Sequence, residues 1–220
     1  MLTLHGETEE SRLIYTGAEA EIYLETWFGQ PAIRKQRTVK PYRVPQLDEY
    51  IRHMRTSHEA TMLREVRKVG VAVPTIFHVD LDSSTLIMDY IAGKTLKEEL
   101  YDLLARERKV RCRTLGGLLA LMHKSGIVHG DITLSNVISQ SGKLFVIDFG
   151  LGDFSKETED MGVDLLLLHR SIRSTHHKFH TELFKSFVEG YTSFMGPKFG
   201  LEILEKMREI ERRGRYFERG

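Results

Sequence analysis

The chain has 220 residues, enough to bury a core without covalent staples, and its single cysteine, Cys112, excludes an intrachain disulfide or a Cys-rich zinc site and fits a reducing compartment. Lysine and arginine number 32 against 31 aspartate and glutamate, and the formal charge of +1 excludes a polybasic nucleic-acid coat. With no stretch approaching the ~18 apolar residues of a membrane helix and no basic-then-apolar leader in Met1–Glu7, the expectation is a soluble, cytoplasmic protein without membrane contact.

In chain order, the predicted elements begin with strands. Leu13-Ile14-Tyr15 and Ile22-Tyr23-Leu24 flank a turn of small residues, and Trp27-Phe28-Gly29-Gln30-Pro31 has the composition of a hairpin tip before Ala32-Ile33-Arg34-Lys35. After Pro45, Leu47, Tyr50, Ile51, Met54, Met62, Leu63, Val66 and Val69 recur at spacings of three and four, with a gap around Ser57. This predicts a helix that Gly70 stops and Pro74 keeps from resuming. Thr85-Leu86-Ile87-Met88 is a further strand, running into the connector Asp89-Tyr90-Ile91-Ala92-Gly93. Beyond it the period becomes helical. Leu115, Leu118, Leu119 and Met122 form a buried stripe ending before Gly126, and Leu144-Phe145-Val146-Ile147 is a short strand. Helices are expected over 161–170, 178–195 and 200–213. The reading is an α+β fold: a β-rich part with one main helix (1–88), a hinge (89–94) and a mostly helical part (95–220), and ligands favour clefts between such parts.

Chemistry concentrates in two places. His129-Gly130-Asp131-Ile132-Thr133-Leu134-Ser135-Asn136, followed after an apolar strand by Asp148-Phe149-Gly150, is the order of groups that protein-kinase-like enzymes use for phosphoryl transfer. Mg2+ takes hard oxygen ligands at ~2.0–2.1 Å and retains waters, so few protein ligands suffice. Asp148 offers a carboxylate and Asn136 an amide oxygen, with Mn2+ as an alternative ion, while Asp131 stays free to orient a hydroxyl or water for in-line attack. Asp-Phe-Gly alone is also an ordinary turn after a strand; it is the pair of motifs in this order that points to phosphoryl transfer. Upstream, Lys35 is placed to reach the α/β-phosphates of ATP, and Glu59 on the next helix to hold it. The plainer alternative makes Lys35 one member of a basic run, since Arg34, Lys35, Arg37, Lys40 and Arg43 have no acid between them. Gly17-Ala18-Glu19-Ala20, with Ile22 and then Ile33 beyond it, occupies the place of a phosphate-covering loop. One glycine makes that a weak motif and a stiff loop, and Glu19 or Glu21 would repel a triphosphate unless turned away. Met88 precedes Asp89-Tyr90-Ile91 where an adenine-binding connector would lie; the alternative is a plain strand end.

Together these residues resemble the small atypical kinase/ATPase subunit of the KEOPS (EKC) complex, over nearly the whole chain. The most specific stretch is Lys35-Gln36-Arg37-Thr38-Val39-Lys40-Pro41-Tyr42-Arg43-Val44-Pro45-Gln46-Leu47-Asp48, close to the family pattern K-x-R-x-x-K-x-Y-R-x-P-x-L-D. Arg55-Thr56-Ser57-His58-Glu59-Ala60 resembles its R-T-x-x-E-A helix and Gly17–Ala20 its G-A-E-A loop, and His129-Gly130-Asp131 has Gly where most protein kinases carry Arg. The resemblance implies a minimal two-lobed kinase-like fold, ATP and Mg2+ as cofactors, and service to tRNA threonylcarbamoylation. It implies as partners an ATPase-fold subunit that performs the tRNA chemistry, a small regulatory subunit on the N-terminal lobe, and tRNA itself.

The chain also departs from the family and from protein kinases at large. His169 stands where the family helix D-x-A-V-D-L-x-V-L-E-R-A has Glu, and Tyr216 and Phe217 interrupt the Arg-rich ending. Thr133 replaces the Lys of many protein kinases, as in the family. That removes a positive charge near the γ-phosphate, and losing one comparable preorganised donor costs about 2.7–4 kcal/mol. No Ala-Pro-Glu follows Asp148, so the usual peptide platform is missing. An ATPase or a slow Ser/Thr kinase is expected. Arg212, Arg213, Arg215 and Arg219 read alone as a solvated end and, with the resemblance, as contacts to tRNA phosphates or a partner. His176, His177 and His180, with His169 upstream, invite a metal reading, but no Cys or paired acid lies nearby and a solvated helix is the plainer account. Two rival functions stay open. One is a small-molecule kinase of the aminoglycoside or choline type; the other is a nucleotide-binding pseudokinase scaffold, against which stand intact Lys35, Glu59, Asp131, Asn136 and Asp148.

Overall fold

The strands read between residues 13 and 39 form as an antiparallel run: β1 (Arg12–Thr16), β2 (Ala20–Trp27) and β3 (Gln30–Arg37). The computed structural model describes residues 11–217, and its chain divides into two units, residues 1–64 with 74–91 and residues 65–73 with 92–220. In the first, β4 (Ile76–Asp80) and β5 (Thr85–Asp89) complete a five-stranded sheet in the order β1-β2-β3-β5-β4. β4 was not among the predicted strands; its Phe77 and His78 are both exposed, so no alternation marks it. Phe28 and Gly29 join β2 to β3 with φ of 46° and 77°. Positive φ at both central residues suits the twist of a two-residue hairpin.

Helix α1 (Pro45–Lys68) runs unbroken through Ser57. Pro45 takes its first position, where a missing N–H costs nothing, and Gly70, at φ 90°, ends it. The apolar stripe is buried only in its second half. Leu47, Tyr50 and Met54 are 51%, 62% and 53% exposed, whereas Asp48, Thr56 and Glu59 are buried along with Met62 and Leu63. In the gap around Ser57, Thr56 and Glu59 point inward, Thr56 to the Arg52 carbonyl and Glu59 to two cations.

The second unit is mostly helical: α2 (Leu96–Asp102), α3 (Ala105–Lys124), α4 (Thr158–Thr175), α5 (His180–Met195) and α6 (Pro197–Phe217). Short strands brace it, with β6 (Lys94–Thr95), β8 (Val137–Gln140) and β9 (Lys143–Val146) in one sheet and β7 (Ile127–Val128) paired to β10 (Asp153–Phe154) in another. The predicted strand at Leu144 thus has partners that the sequence pattern did not reveal. Leu115, Leu119 and Met122 of α3 pack with Phe187 and Tyr191 of α5, all essentially unexposed. The two backbones nearly touch, because a Cβ at Gly116 would lie 2.1 Å from the Phe187 carbonyl oxygen, and one at Gly190 would lie 2.0 Å from that of Arg113. Leu118, expected in the buried stripe, is half-buried instead. Cys112 is buried, and burial pushes its thiol pKa up to about 12, which leaves it unreactive.

His176 is not solvated. It lies in the α4–α5 turn, 2% exposed, with Nε2 bonded to the Lys97 carbonyl at 3.1 Å and its ring 4.3 Å from that of Tyr101. It shares no helix with His180, which opens α5. Among the described residues no cluster of three or more His, Cys, Asp or Glu is arranged for a metal. No described helix is long and apolar enough to cross a membrane.

Candidate active-site residues

Lys35 sits inside β3, opposite Ile22 on β2 and Leu86 on β5. Strand alternation places Ile33, Lys35 and Arg37 on one face. Lys35 Nζ donates to Glu59 Oε1 of α1 at 2.7 Å, and Arg37 Nη2 donates to Glu59 Oε2 at 2.7 Å. Glu59 is 2% exposed, so one buried carboxylate serves two cations. The rest of the basic run also has acceptors, from five to 22 residues away in the chain. Arg34 pairs with Glu25 at 2.8 Å and lies over the Tyr23 ring; Arg43 pairs with Asp48 at 3.4 Å; Lys40 donates to the Ala18 carbonyl. Asp48 accepts Arg52 Nε at 2.7 Å and the Lys40 N–H at 3.3 Å. The Arg52 hydrogen bond above all holds its carboxyl below the ordinary range.

The glycine-poor loop is tied down. The Gly17 N–H donates to the Ala20 carbonyl at 2.9 Å, and the Glu19 carbonyl accepts the Thr38 N–H at 3.2 Å. The Glu19 carboxylate pairs with Arg55 and reaches Arg43 at 4.0 Å, while Glu21 accepts the Tyr23 hydroxyl at 2.6 Å. Both carboxylates that would repel a triphosphate therefore have partners of their own. At the end of β5, Met88 is buried opposite Ile33. The Asp89 N–H donates to the Thr75 carbonyl at 2.9 Å and the Tyr90 N–H to the Pro31 carbonyl at 3.2 Å. Among the described residues no backbone partner takes the N–H of Ile91.

In the second unit the segment before Asp131 hangs from one buried carboxylate. Asp164 of α4 accepts the His129 N–H at 2.7 Å, the Gly130 N–H at 2.8 Å and His123 Nε2 at 3.1 Å. The Tyr191 hydroxyl lies 2.7 Å from His123 Nδ1. Donation from that hydroxyl puts the imidazole hydrogen on Nε2, facing Asp164. Gly130 has φ 76°, and a Cβ there would lie 2.1 Å from the Leu151 carbonyl oxygen, so only glycine fits. His129 is fully buried, accepts the Asp131 N–H on Nδ1 at 3.3 Å, and points Nε2 at the Ile147 carbonyl at 3.1 Å. Burial lowers its pKa, so it stays neutral and serves the backbone.

Asn136 Nδ2 donates to the Asp131 carbonyl at 2.9 Å and to Asp131 Oδ2 at 3.2 Å. That orientation turns Asn136 Oδ1 away from Asp131 and keeps it available as an acceptor. The Ile147 N–H donates to the Asn136 carbonyl at 2.9 Å, so Ile147 links the Asp131–Asn136 segment to Asp148 next in the chain. Asp148 is exposed and has φ 62°, a left-handed conformation unusual outside glycine, and Phe149 behind it is buried 4.6 Å from the His129 ring. The structure thus joins Lys35 to Glu59 in one unit, and Asp131, Asn136 and the Asp148 turn in the other. Sequence reasoning gave Arg37 no role beyond the basic run and the family pattern, gave Tyr191 no polar role, and missed His123 altogether. α6 continues through Phe217, Arg213 pairs with Glu159, and Arg212 is exposed. Arg219 and the side chains of Arg215, Tyr216 and Phe217 lie outside the described residues.

The RIO domain family model matches residues 32–184, which include every one of these residues from Lys35 to Asp164. The chain is 46% identical over 214 residues to the KEOPS complex subunit Bud32 of Pyrococcus abyssi, covering 94% of this chain and 97% of that one. It is 41% identical over 204 residues to a "probable bifunctional tRNA threonylcarbamoyladenosine biosynthesis protein" of Methanothermobacter thermautotrophicus, and 40% identical over 206 residues to its namesake in Methanocaldococcus jannaschii. It spans 36% and 37% of those two, about a third of their length. The Rio2 kinase–ADP/Mg2+–phosphoaspartate complex from Chaetomium thermophilum superposes with a TM-score of 0.64 over 92% of this chain and 71% of that one, at 15% identity, and shows the fold alone. By sequence and family model, the chain belongs to the RIO-domain family, in the Bud32 group of KEOPS subunits.

Proposed function

We infer that this chain binds ATP with Mg2+ and acts as an atypical kinase or ATPase, supporting tRNA threonylcarbamoyladenosine synthesis as the kinase-fold subunit of a cytoplasmic KEOPS-type complex. The observation that carries this reading is the buried Lys35–Glu59 pair at 2.7 Å, an ammonium oriented on a sheet face by a helix carboxylate. Ile33 and Met88 supply the apolar surface for a base, and the N–H of Ile91 a donor to its edge. Asn136 and Asp148 form a donor set of hard oxygens that fits Mg2+ or Mn2+. The metal, when bound, would neutralise charge on the phosphate oxygens. Asp131, fixed through its neighbours by Asp164 and through its own carboxylate by Asn136, orients the attacking water or hydroxyl. Residues 89–94 serve as the hinge between an N-lobe (1–88) and a C-lobe (95–220).

Thr133 offers no cation to the γ-phosphate, which favours slow turnover with water as acceptor. The bifunctional relatives, of which this chain is about a third, support a partner that carries the tRNA chemistry. The exposed Leu47, Tyr50 and Met54 on α1 support docking of a small regulatory subunit there. Arg212 is open to tRNA phosphate, whereas Arg213 must first leave Glu159.

The direct test is release of labelled phosphate from ATP by the full chain, alone and with the remaining portion of a bifunctional relative. Mg2+-dependent release raised by that portion is expected. No release under either condition would establish the scaffold alternative, and enhancement by a small alcohol or amine alone would establish the small-molecule kinase.

A further inference from the structure

Glu59 has two cationic partners, and only one of them is the candidate phosphate ligand. Its two oxygens are divided, Oε1 to Lys35 and Oε2 to Arg37, each at 2.7 Å. Arg37 is itself fixed to the sheet, its N–H donating to the Ser84 carbonyl at 3.1 Å, and Ala20 pairs with it across β2. Its guanidinium also reaches the Arg55 carbonyl at 3.4 Å, one turn before Glu59 on α1. Sheet and helix are therefore linked at this point by a contact that does not pass through Lys35.

We propose that Arg37 is a positioning residue, holding Glu59 so that Glu59 can aim Lys35 at the nucleotide phosphates. This rests on the reading of Lys35 as the phosphate-binding amine. The Lys35 ammonium has three donors and is drawn toward a triphosphate when one binds. With no second cation, Glu59 at 2% exposure would then be a buried carboxylate with weakened pairing, a costly state. Arg37 is a second cation that keeps its oxygen throughout. Both contacts leave from one guanidinium nitrogen, Nη2, which faces the Glu59 carboxylate and the Arg55 carbonyl together. α1 is accordingly anchored without nucleotide and without a modification to pull it in.

The test is a double-mutant cycle on the full chain, reading KM for ATP and kcat in wild type, Arg37→Met, Glu59→Gln and the double variant. Arg37→Met should raise KM about tenfold, within the range seen for directly coupled side chains, with a smaller effect on kcat. The double variant should be no worse than Glu59→Gln, and Arg37→Lys should recover most of the loss. A KM for Arg37→Met within about twofold of wild type, or losses that multiply in the double variant, would overturn the proposal. Should Arg37→Met fail to fold, Arg37→Gln compared with Arg37→Gln/Glu59→Gln carries the same contrast: a loss that Glu59→Gln absorbs supports the proposal, and multiplying losses contradict it. Lys35→Met separates the two levels. If it abolishes turnover while Arg37→Met changes nothing, only the role of Arg37 falls; if it leaves KM and kcat unchanged, the reading of Lys35 falls too.

Discussion

Asp164 gathers two backbone N–H groups and an imidazole around one carboxylate with no water access. Burial raises the Tyr191 phenol pKa, which keeps its hydroxyl protonated as a donor toward His123 Nδ1. Replacing Asp164 by Asn turns one acceptor oxygen into an NH2 that meets a donor. Asp164→Asn should therefore cost about 1.5–3 kcal/mol of stability, the worth of hydrogen bonds to a charged group, measured by urea unfolding. An unchanged midpoint would contradict this role. Asp131, Asn136 and Asp148 were legible in the sequence because their chemistry is local in the chain. The partners of His123 were not. They lie 41 and 68 residues away, and nothing in the periodicity of a buried helix says which polar side chain will meet which.

At the scale of elements, α1 shows how a correct period can leave half of its apolar stripe exposed. The spacing of Leu47, Tyr50 and Met54 predicted a helix, and a helix forms, yet the inward residues there are Asp48, Thr56 and Glu59. Ion pairs to Arg43, Arg52, Lys35 and Arg37 make burial of those acids tolerable, and no hydropathy pattern encodes such pairing. Tyr50→Ala should leave stability within about 0.5 kcal/mol, as exposed positions do. It should weaken capture of a small regulatory subunit about tenfold or more, as aromatic anchors do. Full-strength binding by that variant would place the docking surface elsewhere. In the second unit, Gly116→Ala must push apart α3 and α5, where 2.1 Å is left for a Cβ. Overpacking of this kind costs ~1–3 kcal/mol, and thermal unfolding of Gly116→Ala should show it as a lowered Tm. Helix α2 escaped a reading based on period because seven residues are too few for one. Its start was nonetheless written locally, in a capping box in which the Glu98 N–H meets Thr95 Oγ1 at 3.3 Å and Glu98 Oε2 takes the Thr95 N–H at 3.0 Å. The strands β6, β7 and β10, two residues each, have no periodic signature to detect.

For the whole molecule, burial pushes His129, His169 and His176 below the ordinary histidine pKa of 6.5. The folded chain keeps these rings neutral while the unfolded chain takes up protons, so stability is fully present above 6.5 and is lost as pH falls toward the depressed folded values. A lower urea midpoint at about pH 5.5 than at about pH 7.5 is expected; equal midpoints would show that the histidines titrate alike in both states. The α+β class was readable because a strand-rich first part and a helix-rich second part differ in period. The functional reading stands on Lys35 and Glu59 in one unit and on Asp131, Asn136 and Asp148 in the other, and it is tested most directly at the residue that would do the chemistry. The decisive measurement is ATP turnover with Mg2+ by the full chain carrying Asp131→Ala. Loss of the group that orients the attacking oxygen should cut turnover ~10²–10⁴-fold with the fold intact, and turnover equal to wild type would contradict the assignment.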